Sequence, residues 1–149
     1  MATLVEDLNQ LLADYQVLYH KVRNFHWNVR GEHFFQLHAE FETLYTALAL
    51  RVDEIAERIL ALGGSPTGSM AVWLETSRLE EAGTELSSRD MVAALAHDLE
   101  TVNGYLAATI EKGEAASDRP TVNLLDAFSD AQAQTLWMFR SFLGGVPAR

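Results

Sequence analysis

Four metal-seeking side chains fall in two pairs between positions 38 and 57: His38 with Glu42, and Asp53 with Glu57. The members of each pair are four residues apart, so on an α-helix they point the same way. Imidazole and carboxylates are the donors that hold iron, manganese or zinc. At about 100° per residue, His38, Glu42, Ala49, Asp53, Ala56, Glu57 and Leu60 share one arc of about 120°. For a single pair the plain alternative is a solvated or salt-bridged helix face. Two pairs on an arc that also carries small and apolar residues fit that alternative poorly. The small residues let another helix come close. His38 and Asp53 are separated by roughly 22 Å of helix at about 1.5 Å per residue, so one ion cannot touch both within one straight helix. If all four serve one metal, a second copy of the helix must cross antiparallel on a two-fold axis, with one site near each end.

The helix that carries these residues is written in its apolar stripe. Phe34, Leu37, Phe41, Leu44, Leu48, Val52, Ile55 and Ile59 predict a helix over about 34–62, closed by Gly63-Gly64-Ser65-Pro66. On its third arc Glu40, Thr43, Ala47, Arg51, Glu54 and Arg58 read as the solvent face. Before it, Leu4, Leu8, Leu11, Tyr15, Leu18, Val22, Phe25 and Val29 predict a helix over about 4–29, stopped by Gly31. Residues 63–87 form a long connection whose middle, Met70-Ala71-Val72-Trp73-Leu74, suits two turns of helix. Ser87 and Asp90 suit a capping box, and Met91, Leu95, Leu99, Val102, Leu106 and Ile110 form the next stripe, stopped by Gly113. Asp118-Arg119-Pro120-Thr121 opens the last helix, which carries Leu125, Phe128, Leu136, Phe139 and Leu143 before Gly144-Gly145. Short links make each pair of helices antiparallel, and the long connection can cross the bundle. The expected fold is therefore all-α: a ferritin-like four-helix bundle with a short extra helix in the connection between helices two and three. No strand pattern competes. The chain of 149 residues suits a single domain, 1–149.

Composition narrows the chemistry. A dinuclear site inside a four-helix bundle needs Glu-x-x-His on two helices, and that motif does not occur in this sequence. There is no cysteine, which excludes disulfides, thiolate zinc sites, iron–sulfur clusters and cysteine nucleophiles. Eleven basic residues stand against 21 acidic ones, a formal charge of −10, and only Lys21 and Lys112 are lysines. Such a chain repels phosphate backbones and anionic membranes and favours cations. No apolar stretch approaches the roughly 20 residues of a membrane span. The start, Met-Ala-Thr-Leu-Val-Glu-Asp, has neither the basic residues nor the apolar run of a signal peptide, so a cytoplasmic location is expected.

The run Asn24-Phe25-His26-Trp27-Asn28-Val29-Arg30-Gly31, followed by Phe35, Leu37-His38, Phe41-Glu42 and Leu44-Tyr45, resembles the Dps proteins, the dodecameric miniferritins. Asp53-Glu54-Ile55-Ala56-Glu57-Arg58 resembles the same family, as does Trp137-Met138-Phe139-Arg140-Ser141-Phe142-Leu143 near the other end. The spacings from His26 to His38, His38 to Asp53 and Asp53 to Glu57 match its ferroxidase pattern without a gap. The resemblance implies that His26 and His38 bind iron from one subunit and Asp53 and Glu57 from its two-fold partner. Glu42 sits where the family often has another acidic ligand. It implies oxidation of Fe(II), preferentially by hydrogen peroxide, and storage of Fe(III) mineral in a hollow homododecamer that protects against oxidative stress. Zinc is a competing ion for such ligands. Trp27 and Trp137 are expected as packed aromatics near the site.

Two departures from the family stand out. Its members commonly line a three-fold pore with aspartates; the corresponding stretch here offers Glu114, Asp118 and Asn123, with Asn in place of an aspartate and Arg119 intruding. Many members bind DNA through a lysine-rich N-terminal tail, which this sequence lacks, so DNA binding is expected to be weak or absent. The competing functions are a nucleoid protein that coats DNA without significant ferroxidase activity, and a structural bundle that holds zinc without redox chemistry. His20, His33 and His97 are expected at the surface or in structural roles, and Trp73 as an interface anchor.

Overall fold

The structure, a computed structural model, describes residues 3–145. The apolar stripes become five helices: α1 Leu4–Asn28, α2 Phe34–Ala61, α3 Met70–Thr76, α4 Ser88–Ala115 and α5 Arg119–Phe142. Among the described residues there is no strand. Most of the stripe residues are buried. Leu8, Leu11, Tyr15, Leu18, Val22 and Phe25 of α1 are buried, as are Leu37, Phe41, Leu44, Leu48, Ile55 and Ile59 of α2. Burial of this kind contributes about 1.5–3 kcal/mol per large side chain.

Helix boundaries follow local chemistry. Ser69 caps α3 and Ser87 caps α4, accepting from the amides of Val72 and Asp90. Asp118 caps α5, with Pro120 in the first turn where a missing N–H costs nothing. Three helices end in the same Schellman arrangement. In α2 the amide of Gly64 donates to the Ile59 carbonyl and that of Gly63 to Leu60, with Gly63 at φ +81°. In α5 Gly144 plays the same part. In α4 the left-handed residue is Ser117, at φ +57°, while the Asp118 amide reaches back to the Gly113 carbonyl.

Gly113 therefore does not stop its helix, contrary to the expectation from sequence. It lies inside α4, buried, and a Cβ there would come within 3.0 Å of Val122 Cγ2. The missing side chain serves the close approach of α4 to α5, and the stop comes from the turn after Ala115.

The chain forms two compact units. One contains α1, α2 and α3, with the connection up to residue 84. Within it α1 and α2 meet through Phe25 and Phe41, whose ring centroids are 6.2 Å apart. The connection is tied along α1. Asn9 Nδ2 donates to the Ser65 carbonyl, Gln10 Nε2 to that of Thr76, and Asn24 Nδ2 to those of Ala82 and Gly83. Asp14, fully buried, accepts from the Arg78 amide and guanidinium. The second unit contains residues 29–34, α4 and α5. Its helices are joined by Gln132 Nε2 donating to Asn103 Oδ1 at 2.9 Å and by the Arg140–Glu100 ion pair at 3.0 Å.

Arg51 corrects the helical wheel. It was expected on the solvent face of α2, yet it is only 7% exposed. Burial pushes its pKa down, and the neighbouring Tyr15 and Glu54 push it back up. The guanidinium keeps its charge in either case. No described helix is long and apolar enough to cross a membrane.

Candidate metal centre

His26 lies in the last turn of α1 and His38 in the second turn of α2. The glycine turn between the helices, with Gly31 at φ +107°, brings them together. Their rings stack with centroids 3.7 Å apart and planes at 14°. Each ring reaches the other residue's backbone: His26 Nδ1 lies 2.7 Å from the His38 carbonyl oxygen, and His38 Nδ1 lies 2.7 Å from the His26 carbonyl oxygen. A carbonyl only accepts, so each Nδ1 carries the proton and donates. The His26 carbonyl belongs to the last turn of α1, where no amide of that helix follows to bond it. The imidazole of His38 fills that vacancy.

This clasp fixes both tautomers. With Nδ1 protonated, the lone pair of a neutral ring lies at Nε2, the form in which histidine ligates a metal. His26 Nε2 stands 3.8 Å from Glu42 Oε1. Both are acceptors when the ring is neutral, and a cation between them satisfies both. His26 is 6% exposed, whereas the Glu42 side chain is 61% exposed, so the cluster opens on one side to solvent. Tyr45 closes another side, its ring edge-on to His26 at 5.2 Å. The residues present fit a divalent cation of the iron or zinc type: two nitrogen donors with second-sphere hydrogen bonds and a carboxylate beside them.

Asp53 and Glu57 are not part of this cluster. They lie further along α2 and both are exposed. Ala49 and Leu60, on the same arc, are exposed as well, Leu60 to 59%. Among the described residues no three His, Asp or Glu side chains converge on one metal position. The chain thus pairs His26 with His38, sets Glu42 beside His26, and leaves Asp53 and Glu57 apart from them.

The indoles are not in the core. Trp27 is 55% exposed and Trp137 is 56% exposed. The Trp27 ring is covered by the Arg23 guanidinium, 4.9 Å from its centroid. Trp73 instead ties its own loop, donating from Nε1 to the Thr67 carbonyl at 2.9 Å. At the α4–α5 turn, Glu114, Asp118, Arg119, Gly113, Ser117 and Val122 line a cavity of about 360 Å³. Asp118 is engaged there in capping, with Oδ1 accepting from the Thr121 amide and Oδ2 from its hydroxyl. Asn123 is exposed and outside that lining. His20 and His97 are exposed, and His33 packs edge-on against Phe142 at 5.3 Å.

Sequence reasoning quoted Tyr45 only within the family motif and did not single out Arg23; the rings they touch are what distinguish them.

Comparison with known proteins adds the family. A model described as the ferritin-like domain matches residues 5–148. The chain is 41% identical to DNA protection during starvation protein 2 of Bacillus anthracis, over 94% of this chain and 96% of that protein. It is similar to the crystal structure of Dps from Staphylococcus aureus, with a TM-score of 0.92 and 39% identity over 94% of each chain. It is also similar to the Dps protein of Vibrio cholerae, with a TM-score of 0.91 and 34% identity over 94% of this chain and 88% of that one. The Vibrio protein is described as a member of a broad superfamily of ferritin-like diiron-carboxylate proteins.

Proposed function

This chain belongs to the Dps family of ferritin-like proteins, and from that premise we propose that it is a ferroxidase and iron store. Fe(II) is the substrate. His26 and His38 of one subunit and Asp53 and Glu57 of a two-fold partner bind it, with Glu42 as an additional ligand. The observation that carries this reading is the reciprocal histidine clasp, which holds both rings through Nδ1 and sets His26 Nε2 3.8 Å from the Glu42 carboxylate. The exposed Asp53 and Glu57 on the same helix supply the remaining charge once a second copy of α2 crosses antiparallel.

The chemistry is electron transfer from iron to hydrogen peroxide. Two Fe(II) ions give one electron each, the O–O bond breaks, and two protons are taken up to release two waters. Carboxylates favour this direction because Fe(III) is the harder cation. Fe(III) then passes into the cavity of a homododecamer and hydrolyses to mineral. Zinc competes for the same nitrogen and oxygen donors. The protein acts in the cytoplasm, and DNA is protected by removal of Fe(II) and peroxide rather than by coating. The formal charge of −10 per chain supports this part of the reading. We expect no gel shift at about 150 mM salt, where exposed-charge attraction is screened beyond about 8 Å. A shift that survives that salt would return the DNA-coating alternative to first place.

Complementation tests the shared site. One variant carries His26→Ala and His38→Ala, the other Asp53→Ala and Glu57→Ala. Each alone lacks half of every site. Unfolded and refolded together in equal amounts, they form mixed dimers with one empty site and one whole site. Random pairing restores roughly a quarter of wild-type Fe(II) oxidation. If subunits mix and no activity returns, the ligands are not shared across a two-fold axis.

A further inference from the structure

The last turn of α1 is held from two sides. On one side His38 Nδ1 donates to the His26 carbonyl. The other side carries a bridge of side-chain amides that ligation does not use. Asn24 Nδ2 donates to the carbonyls of Ala82 and Gly83, at 3.0 and 3.1 Å, in the stretch that joins α3 to α4. Asn28, the last residue of α1, donates from Nδ2 to Asn24 Oδ1 at 2.8 Å and to the Asn24 carbonyl at 3.0 Å. The Asn24 amide thus has its NH2 on two carbonyls and its oxygen under another NH2, which fixes its orientation. At about 100° per residue, Asn24 and Asn28 lie about 40° apart on the helix, and His26 lies about 160° from each. The bridge and the histidine pair grip opposite faces of one turn.

We propose that Asn24 is a positioning residue for the histidine pair: it anchors the last turn of α1 to the connection and so keeps the His26 carbonyl within reach of His38 Nδ1. Where this bears on Fe(II), it rests on the ferroxidase reading above. The last carbonyls of a helix have no later amide of that helix to bond them, and such an end frays unless something holds it. Propensity does not hold this one, because none of Phe25, His26, Trp27 and Asn28 is a strong helix former. The bridge supplies the hold: Asn28 folds back onto Asn24, and Asn24 onto the connection. When the turn unwinds, the His26 carbonyl leaves and His38 loses the acceptor that sets its tautomer. A proton moved to Nε2 occupies the lone pair that ligates. Asn24 therefore touches no metal, yet it sets how much of the His38 ring is ready to bind one.

Asn9 provides the contrast. Its Nδ2 donates to the Ser65 carbonyl at 3.1 Å and its Oδ1 accepts from the Thr67 amide at 2.8 Å. The chemistry is the same and the connection is the same, but from position 9 to position 26 is about 25 Å of helix. Asn9 ties the connection without gripping the turn that carries the histidine.

The test is NMR of the metal-free full chain made with isotope-labelled histidine, at about pH 8, where an ordinary imidazole is neutral. Ring-nitrogen shifts report which nitrogen holds the proton, and His38 is assigned by difference from His38→Gln. Zn(II) affinity is measured in parallel by calorimetry. In the wild type we expect His38 protonated at Nδ1 alone. Asn24→Ala should give a mixture with protonation at Nε2 and bind Zn(II) about threefold to tenfold more weakly, although alanine is the better helix former. Asn9→Ala should match the wild type in both. A wild-type tautomer or a wild-type Zn(II) affinity in Asn24→Ala overturns the proposal. So does a mixture already present in the wild type, or an equal change in Asn9→Ala. If Asn24→Ala does not fold, Asn28→Ala decides, since it removes only the inner bonds of the bridge: a His38 mixture supports the proposal and an unchanged ring overturns it. Wild-type protein that binds Zn(II) but does not oxidise Fe(II) with peroxide overturns the ferroxidase reading and leaves the role of Asn24 standing.

Discussion

The two halves of α2 carry donors of the same chemical kind in different conditions. Near its start, His38 is locked to α1: its ring stacks on His26 and its Nδ1 donates across the turn. Further along, Asp53 and Glu57 stand exposed on an arc with Ala49 and Leu60. The first half is finished within the chain, down to the tautomer of each ring. The second supplies charge without any of the support that orients a ligand. The difference shows that a metal-binding sequence pattern says which atoms are available, whereas the fold says which of them are already organised.

The largest expected effect separates the two halves by stability rather than by activity. Replacing the histidines (His26→Ala with His38→Ala) or the carboxylates (Asp53→Ala with Glu57→Ala) should each slow Fe(II) oxidation by on the order of a hundredfold or more. Unfolding in denaturant should tell them apart. The histidine variant loses two hydrogen bonds and a stacked pair, about 2–3 kcal/mol in all. The carboxylate variant, changed at exposed positions, should stay within about 0.5 kcal/mol of wild type. Equal destabilisation by both would mean that the clasp contributes nothing.

Acidification should act on the nitrogen half first. A protonated imidazole cannot ligate. Fe(II) or Zn(II) affinity, measured by calorimetry, should fall by about tenfold or more between pH 7 and about pH 5.5, while carboxylates remain ionised over most of that range. An affinity that stays flat would place binding on the carboxylates alone.

Glu42 lies between the two conditions, exposed yet close to His26 Nε2. Glu42→Gln keeps the shape and removes the charge. We expect a loss of only about threefold to tenfold in Fe(II) affinity, near the lower end of what outer ligand partners contribute. A loss as large as that of the histidine pair would promote Glu42 to an obligatory ligand.

Much of this was legible in the residues. The stripe from Phe34 to Ile59 placed α2 to within a residue of its observed end at Ala61, and Ser87 and Asp118 marked the starts of α4 and α5. These signals are local: a stripe, a cap and a turn each involve residues a few positions apart. Two readings failed for lack of that locality. Arg51 looked solvent-facing because a wheel measures angles on one helix and cannot see what covers the other arcs. Gly113 looked like a stop, when its role is to let α5 approach at Val122. Trp27 and Trp137, expected as packed aromatics near the site, are each more than half exposed in the chain.

By itself the sequence determined the helices, the donor atoms and the distance argument that separates His38 from Asp53. All of these follow from fixed repeats of 3.6 residues per turn and about 1.5 Å per residue. Only the tertiary structure decided what those donors are ready to do. Which nitrogen of His26 holds the proton depends on a carbonyl twelve positions away, brought to 2.7 Å by the turn at Gly31. The contacts of Tyr45 with His26 and of Arg23 with Trp27 are likewise products of packing. A proton's place on a ring is set by whichever acceptor it faces, and no spacing within one helix specifies that partner.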